Sequence, residues 1–267
     1  MMHPPQIPRQ AGRRAFGLDP AGYHRTRPDY PEWVYEMLSA RCGLGRGAAV
    51  FEVGAGTGKA TRRLLDLGAD PLVAIEPDAR LADFLRRNTP AAALKVLQCT
   101  FEDAALEAAA FDLGVSATAF HWLEEAAALG KIARLLRPGG WWAAFWNIFG
   151  DDSRPDPFHE ATKDLVGAPL SPSAGEHGIP FGLDAAARTA ALERTGVFEA
   201  IEVRTSQWSL PLDAEQTMAL YGTYSNINVR PDRDAVLAEL GRIAREAFGG
   251  RITRNMTTSL FVARRSA

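Results

Sequence analysis

The stretch Val50-Phe51-Glu52-Val53-Gly54-Ala55-Gly56-Thr57-Gly58 joins an apolar run to an acidic residue and three glycines spaced two apart. The run Ala48 to Val53 suits a parallel strand buried on both faces, and each glycine drops a Cβ where the main chain must turn sharply or approach something closely. Lys59-Ala-Thr-Arg-Arg-Leu64-Leu65-Asp-Leu67 follows with its apolar positions at helical spacing. The unit reads as strand, glycine loop, helix, with a ligand lying against bare backbone.

The spacing of the glycines narrows the ligand. A dinucleotide loop reads G-x-G-x-x-G and holds a pyrophosphate at the helix N-terminus. Here the third glycine comes one residue early and Lys59 takes the sixth position; a G-x-x-x-x-G-K-[ST] phosphate loop is absent too. The pattern Glu-x-Gly-x-Gly-x-Gly resembles motif I of the class I S-adenosylmethionine-dependent methyltransferases. Their cofactor carries a sulfonium and an ammonium and no phosphate, so an acidic residue at the strand end makes electrostatic sense. The resemblance implies S-adenosyl-L-methionine bound along Glu52, Gly54, Ala55, Gly56, Thr57 and Gly58. On the residues alone, three glycines also fit a purely structural turn.

A second apolar run, Pro71 to Ile75, ends in Glu76, which is followed by Pro77 and Asp78 and lies 18 residues past Gly58. An acid placed there can accept from the two ribose hydroxyls of an adenosine. Asp78 reads as the cap of a helix Ala79 to Arg87. A third run, Leu94 to Gln98, leads into Cys99-Thr100-Phe101-Glu102-Asp103. By the resemblance this loop contacts adenine, with Phe101 stacking on the ring and Glu102 or Asp103 accepting from its amine. Pro77 and Thr100 join the same cofactor-binding set, although Thr100 also suits the cap of a helix starting at Phe101.

Phe111 to Ser116 reads as a fourth strand running into Ala117-Thr118-Ala119-Phe120-His121-Trp122-Leu123. This segment resembles the motif IV region of small-molecule methyltransferases related to the ubiquinone, menaquinone and trans-aconitate enzymes. The resemblance puts Ser116 and Ala117 beside the methionine moiety and His121 near the departing methyl. A lone histidine beside a tryptophan otherwise packs in a core, and Asp112 reads as a strand anchor. Arg137-Pro138-Gly139-Gly140 is a type II turn signal, followed by the apolar strand Trp141 to Asn147. Five strand-helix units in succession give a doubly wound α/β fold. The family form is Rossmann-like, with seven mostly parallel strands, the last antiparallel, plus a lid.

Residues 1–15, rich in Pro, Arg and Gln, have no apolar core segment and are expected to be a disordered lead-in without signal peptide or membrane span. Then comes Tyr23-His-Arg-Thr-Arg27-Pro28-Asp-Tyr30-Pro31 before a helix Glu32 to Arg41, a pattern that recurs in the family. There the tyrosine, Tyr23, helps close the pocket, and the arginine, Arg27, faces the cofactor carboxylate, for which a guanidinium's paired donors suit it. Packing of Tyr23 and Tyr30 in an N-terminal lid over 16–41 is the plainer alternative. Residues 150–183 read as a long irregular segment, expected to be a cap over the substrate. His159, Glu160 and His177 lie there, but their spacing fits no zinc signature and no metal is expected. Phe198 to Leu210 alternates as a strand, Asp213 caps Ala214 to Tyr221, and Tyr221 to Asn228 forms a polar aromatic patch, read with about 211–230 as a second pocket wall. A helix Asp232 to Phe248 and a strand Ile252 to Ala263 complete the chain.

At 267 residues and 46% apolar content the chain can bury one large core, and 16–267 are expected to form a single domain. A net charge of −2 with scattered Lys and Arg gives no footprint for nucleic acid. Two cysteines without framework spacing suit a reducing cytoplasm. The expected function is methyl transfer to a small organic acceptor by a protein acting as a monomer or homodimer away from membranes. His121, Tyr23 and Tyr224 are the candidate bases. A protein that binds the cofactor but runs another reaction, or none, is the alternative.

Overall fold

The computed structural model describes residues 5–149, 151, 153–154, 156–175 and 178–267. It begins with α1 (Arg9–Ala15), α2 (Pro20–Thr26) and α3 (Glu32–Cys42). There follow β1 (Ala48–Val53), α4 (Lys59–Asp66), β2 (Ala69–Ile75), α5 (Ala79–Asn88), β3 (Leu94–Leu97), β4 (Phe111–Ala117), α6 (Glu125–Leu135) and β5 (Leu136–Phe149). The last part holds α7 (Pro157–Val166), α8 (Ala185–Arg194), β6 (Phe198–Asp213), α9 (Ala214–Tyr221), α10 (Ser225–Asn228), α11 (Arg233–Phe248) and β7 (Arg251–Arg265).

One sheet takes the strands in the order β3-β2-β1-β4-β5-β7-β6, with β7 antiparallel to both neighbours and the other pairings parallel. This is the expected Rossmann-like sheet. All six residues of β1 are buried, which is why its sequence is a nearly unbroken apolar run. Alternation along β1 sends Ala49, Phe51 and Val53 into a core with Leu129 and Ile132 of α6. Ala48 and Val50 face Val34 and Leu38 of α3 and Leu64 of α4. Strand order reverses between β1 and β4, where open α/β sheets leave a crevice at the strands' carboxyl ends. Asp112 ties this region together at the opposite end, accepting from Ala49 N at 2.9 Å and pairing with Arg137.

Three sequence expectations change. Residues 9–15, read as disordered, form α1, whose Gly12 lies so close to Trp122 that a Cβ there would sit 2.1 Å from the indole. A segment too polar for a core of its own is ordered here by fitting onto the core of another. The stretch 150–183, read as irregular, contains α7, capped by Asp156 through His159 N at 3.0 Å; His177 lies outside the described residues. After Thr100 there is a turn rather than a helix, although Thr100 Oγ1 still accepts from Asp103 N.

Below α7, α9 and α11 a third cluster gathers Phe158, Leu220, Tyr221, Ile227, Leu240 and Ile252. Arg254 of β7 is wholly buried within it, its Nε donating to Asp156 Oδ2 at 2.6 Å and a terminal nitrogen to Tyr221 Oη at 2.6 Å. Asp156 therefore both starts α7 and neutralises a buried guanidinium. Removing one partner of such a pair costs about 3–5 kcal/mol because the other charge stays buried. Asp156→Ala is expected to lose that much in urea unfolding; a loss below about 1 kcal/mol would mean that the pair is no more than a surface-grade contact.

Candidate functional site

The loop after β1 is held open by two buried carboxylates. Gly54 and Gly56 have φ of +72° and +57°, a region that side chains disfavour. A Cβ on Gly54 would lie 2.4 Å from Ala119 Cβ, whereas one on Gly56 would enter open space. Glu76, just past β2, accepts from Gly56 N at 2.8 Å through one oxygen and from Asp78 N at 2.9 Å through the other. Each oxygen keeps a lone pair for a ligand hydroxyl. Glu52 accepts from Thr61 Oγ1 of α4 at 2.6 Å. Among the described residues no ion pair engages it, although Arg27 and Lys59 line the same cavity.

Burial raises both acids. The Glu52 carboxyl is pushed up to about 8, chiefly by loss of water and further by the nearby Glu76, against the Thr61 hydrogen bond. Glu76 is pushed up to about 7 by burial despite its two amide donors. A cationic group beside Glu52 would restore its charge.

Two small cavities of about 50 and 80 Å³ meet at the loop. Both are lined by Tyr23, Gly54, Gly56, Ala117 and Thr118. The first adds Glu52, Ala55, Thr57 and Arg27; the second adds Glu76, Pro77 and Phe101. Most of the predicted cofactor positions thus lie along one groove, with Glu52 in one cavity and Glu76 in the other. A chamber of about 360 Å³ adjoins them and shares Tyr23, Arg27, Thr118 and Tyr224.

Four predicted positions do not line these spaces. Ser116 is buried with its Oγ donating to Val53 O at 3.0 Å, so it braces β1 against β4. Thr100 bonds Asp103, and Glu102 is engaged by Arg13 at 2.8 Å. Gly58 starts α4 at φ +86°, its missing Cβ making room for Leu85. Each of these side chains or Cβ directions is spent on the protein itself.

The candidate bases also sort. His121, on a short 3₁₀ turn after β4, lines the chamber and is buried. Its Nδ1 accepts from Trp146 Nε1 at 3.1 Å, and indole nitrogen can only donate. Burial, then the Arg27 charge, lowers its pKa to about 3, so the ring is neutral with its proton on Nε2. That tautomer offers the chamber an N–H, not a base. Tyr224 Oη is buried without a partner and its pKa is raised by burial, while its ring stacks on Phe149 and lies under the Arg27 guanidinium at 4.6 Å. Tyr23 lines all three spaces.

Several lining residues escaped the sequence reading. Arg13, from the segment read as disordered, and Phe16, at the start of the one read as a lid, reach the Glu76 cavity with Trp122. Thr118 sits at φ +54°, an uncommon conformation for a β-branched residue, with Oγ1 bonded to Tyr30 Oη at 2.8 Å. Such strain of about 1–3 kcal/mol collects where a site over-determines the backbone. Among the described residues no group of three or more potential metal ligands occurs.

Residues 51–144 match the family model described as a methyltransferase domain. An uncharacterized methyltransferase of Mycobacterium tuberculosis is 36% identical over 137 residues, covering 50% of this chain and 52% of the relative. The chain spans about half the length of such curated relatives. Among solved structures, a putative type II methyltransferase from Anaeromyxobacter dehalogenans superposes with a TM-score of 0.62 at 18% identity, over 90% of this chain and 97% of that one. A Haemonchus contortus phosphoethanolamine N-methyltransferase bound to phosphomonomethylethanolamine and S-adenosylhomocysteine gives 0.55 at 13%, over 88% and 53%. Residues 51–144 thus match a methyltransferase domain, and the fold around them is the one these solved structures share.

The raised carboxyls have a measurable effect on stability. Because the folded state keeps a proton on Glu52 that the unfolded chain releases above its ordinary 4.5, stability falls as pH rises from about 4.5 to about 8. Glu52→Gln removes this contribution. The ligand-free variant is expected to match wild type near pH 4.5 and exceed it progressively towards pH 8, by at most about 1.4 kcal/mol per pH unit. Parallel curves in urea unfolding would show that Glu52 is solvated and ordinary.

Proposed function

We propose that this protein transfers the methyl group of S-adenosylmethionine to a small organic acceptor by in-line displacement. The observation that carries the reading is the pair of buried carboxylates on either side of Gly56, one in no ion pair among the described residues and the other presenting unused acceptor capacity beside an apolar cavity. An amino acid joined to a nucleoside supplies an ammonium for the first and ribose hydroxyls for the second. The residues therefore fit the cofactor that the domain family implies.

Glu52 would hold the ammonium, Glu76 the ribose, and Phe101 with Pro77 the base. Arg27 would face the cofactor carboxylate, and its buried Nε, which has no partner, supports that role. Bound there, the cofactor supplies an electrophilic methyl on a sulfonium that leaves readily. What the chain contributes is position. Orienting the acceptor against the methyl can account for about 7–11 kcal/mol of the barrier without any acid or base. Tyr23 and Thr118, shared by all three spaces, mark the junction where the two substrates would meet.

Residues 16–267 serve, on this reading, as one catalytic unit in which 16–41 form the lid and about 150–183 and 211–230 the cap. The unpaired Cys42 and Cys99 suit a reducing cytoplasm. No helix of the described residues is long and apolar enough to cross a membrane.

Binding and turnover test different parts. Gly56→Val, which puts a branched side chain at positive φ in the groove, and Glu76→Ala are each expected to weaken S-adenosylhomocysteine binding at least tenfold by calorimetry. Arg27→Ala should lose less. Near-wild-type affinity in the first two would overturn the site. Incubation with labelled S-adenosylmethionine and a broad metabolite extract should yield a methylated product, whereas binding without product would favour the non-transferring alternative.

A further inference from the structure

The chamber beside the groove has a chemical bias of its own. Much of its wall is apolar or aromatic, including Phe16, Trp146, Ile148, Phe149, Val166 and Leu170. No carboxylate lines it among the described residues, whereas Arg27 and Lys163 bring positive charge, the latter beside Glu160. His121 is the most constrained polar group there. Trp146 fills its Nδ1 lone pair from a fully buried position, which fixes the ring's rotation as well as its tautomer. Among the described residues Nε2 has no hydrogen-bond partner, and it is not sealed off, so it meets the cavity as a preset donor.

A hydroxyl acceptor gains from a neighbouring atom able to take its proton; His121, its Nδ1 lone pair filled, supplies none, which leaves His159 as the other imidazole on this wall. The fixed N–H of His121, on a wall without a carboxylate among the described residues, instead favours a group already negative, because a donor aimed at a charge is worth about twice one aimed at a neutral oxygen. We infer that the chamber takes an apolar organic acid as its anion, a carboxylate or an acidic enol, with the anionic oxygen on His121 Nε2–H. In the step that follows, an oxygen lone pair of the anion forms the new O–CH3 bond while the S–CH3 electron pair returns to sulfur. Carboxylate and sulfonium become ester and thioether, or enolate and sulfonium become enol ether and thioether, and no proton has to leave. His121 thus selects the acceptor and steadies its charge.

This inference rests on the proposed methyl transfer, and the test keeps the two apart. The protein saturated with S-adenosylhomocysteine is titrated with 3-phenylpropanoate, with the enolate of 1-phenylbutane-1,3-dione, and with 3-phenylpropanamide as the uncharged match to the first. The same acids are offered with labelled S-adenosylmethionine. At least one anion is expected to bind tenfold or more tighter than the amide and to accept label, and whichever arm does so identifies carboxylate or enolate. His121→Phe should remove that preference while leaving S-adenosylhomocysteine affinity within threefold. Binding of S-adenosylhomocysteine with no preference for either anion would overturn the acceptor inference alone; no S-adenosylhomocysteine binding would overturn the methyl-transfer reading with it. If His121→Phe fails to fold, the wild-type comparison of anion with amide still decides.

Discussion

Glu52 is a carboxylate at the end of a strand with no exposed residue, and the sheet itself puts it there. The residues before it pack against helices on both faces, so the side chain cannot turn towards water without unpairing β1 from β2 and β4. Among the described residues a single hydroxyl, from Thr61, donates to it, and burial leaves it largely protonated at neutral pH. Folding alone does not compensate this group. On the proposed reading a cation arriving at the strand end would, making Glu52 a site of stored cost in the free protein and of specificity in the bound one.

The remaining features follow from that position. Gly54 and Gly56 let the chain turn away from the acid without filling the space in front of it, and Glu76 pins the turn through Gly56 N. The reversal of strand order between β1 and β4 leaves the crevice, and Ala117 and Thr118 close its far side. α1 roofs the Glu76 cavity by seating Gly12 on Trp122 and pairing Arg13 with Glu102. Helices α7, α9 and α10 line the chamber, on a core stitched by Asp156 and Arg254.

What the sequence revealed was what local pattern controls. The strand bounds of β1, the cap at Asp78, and the acid-glycine-acid order are consequences of burial, turn chemistry and spacing, each visible within a few residues. What it concealed depends on partners far along the chain. Glu102 looked free to meet a ligand because Arg13, 89 residues earlier, gave no sign of reaching it. Ser116 looked like a site residue because its direction is set by Val53, 63 residues away on the neighbouring strand. His121 read as a possible base, and only the indole of Trp146 decides which of its nitrogens carries the proton. Composition made α1 look disordered, since a polar segment orders only when another element supplies the surface.

On the proposed reading Glu52 is buried protonated in the free protein and becomes charged when the ligand's ammonium arrives. Calorimetric titration of S-adenosylhomocysteine at pH 7, repeated in buffers of different ionisation enthalpy, measures the protons exchanged on binding. Net release approaching one proton in wild type, largely lost in Glu52→Gln, is the expected result. Heats independent of the buffer, or net proton uptake, would contradict it.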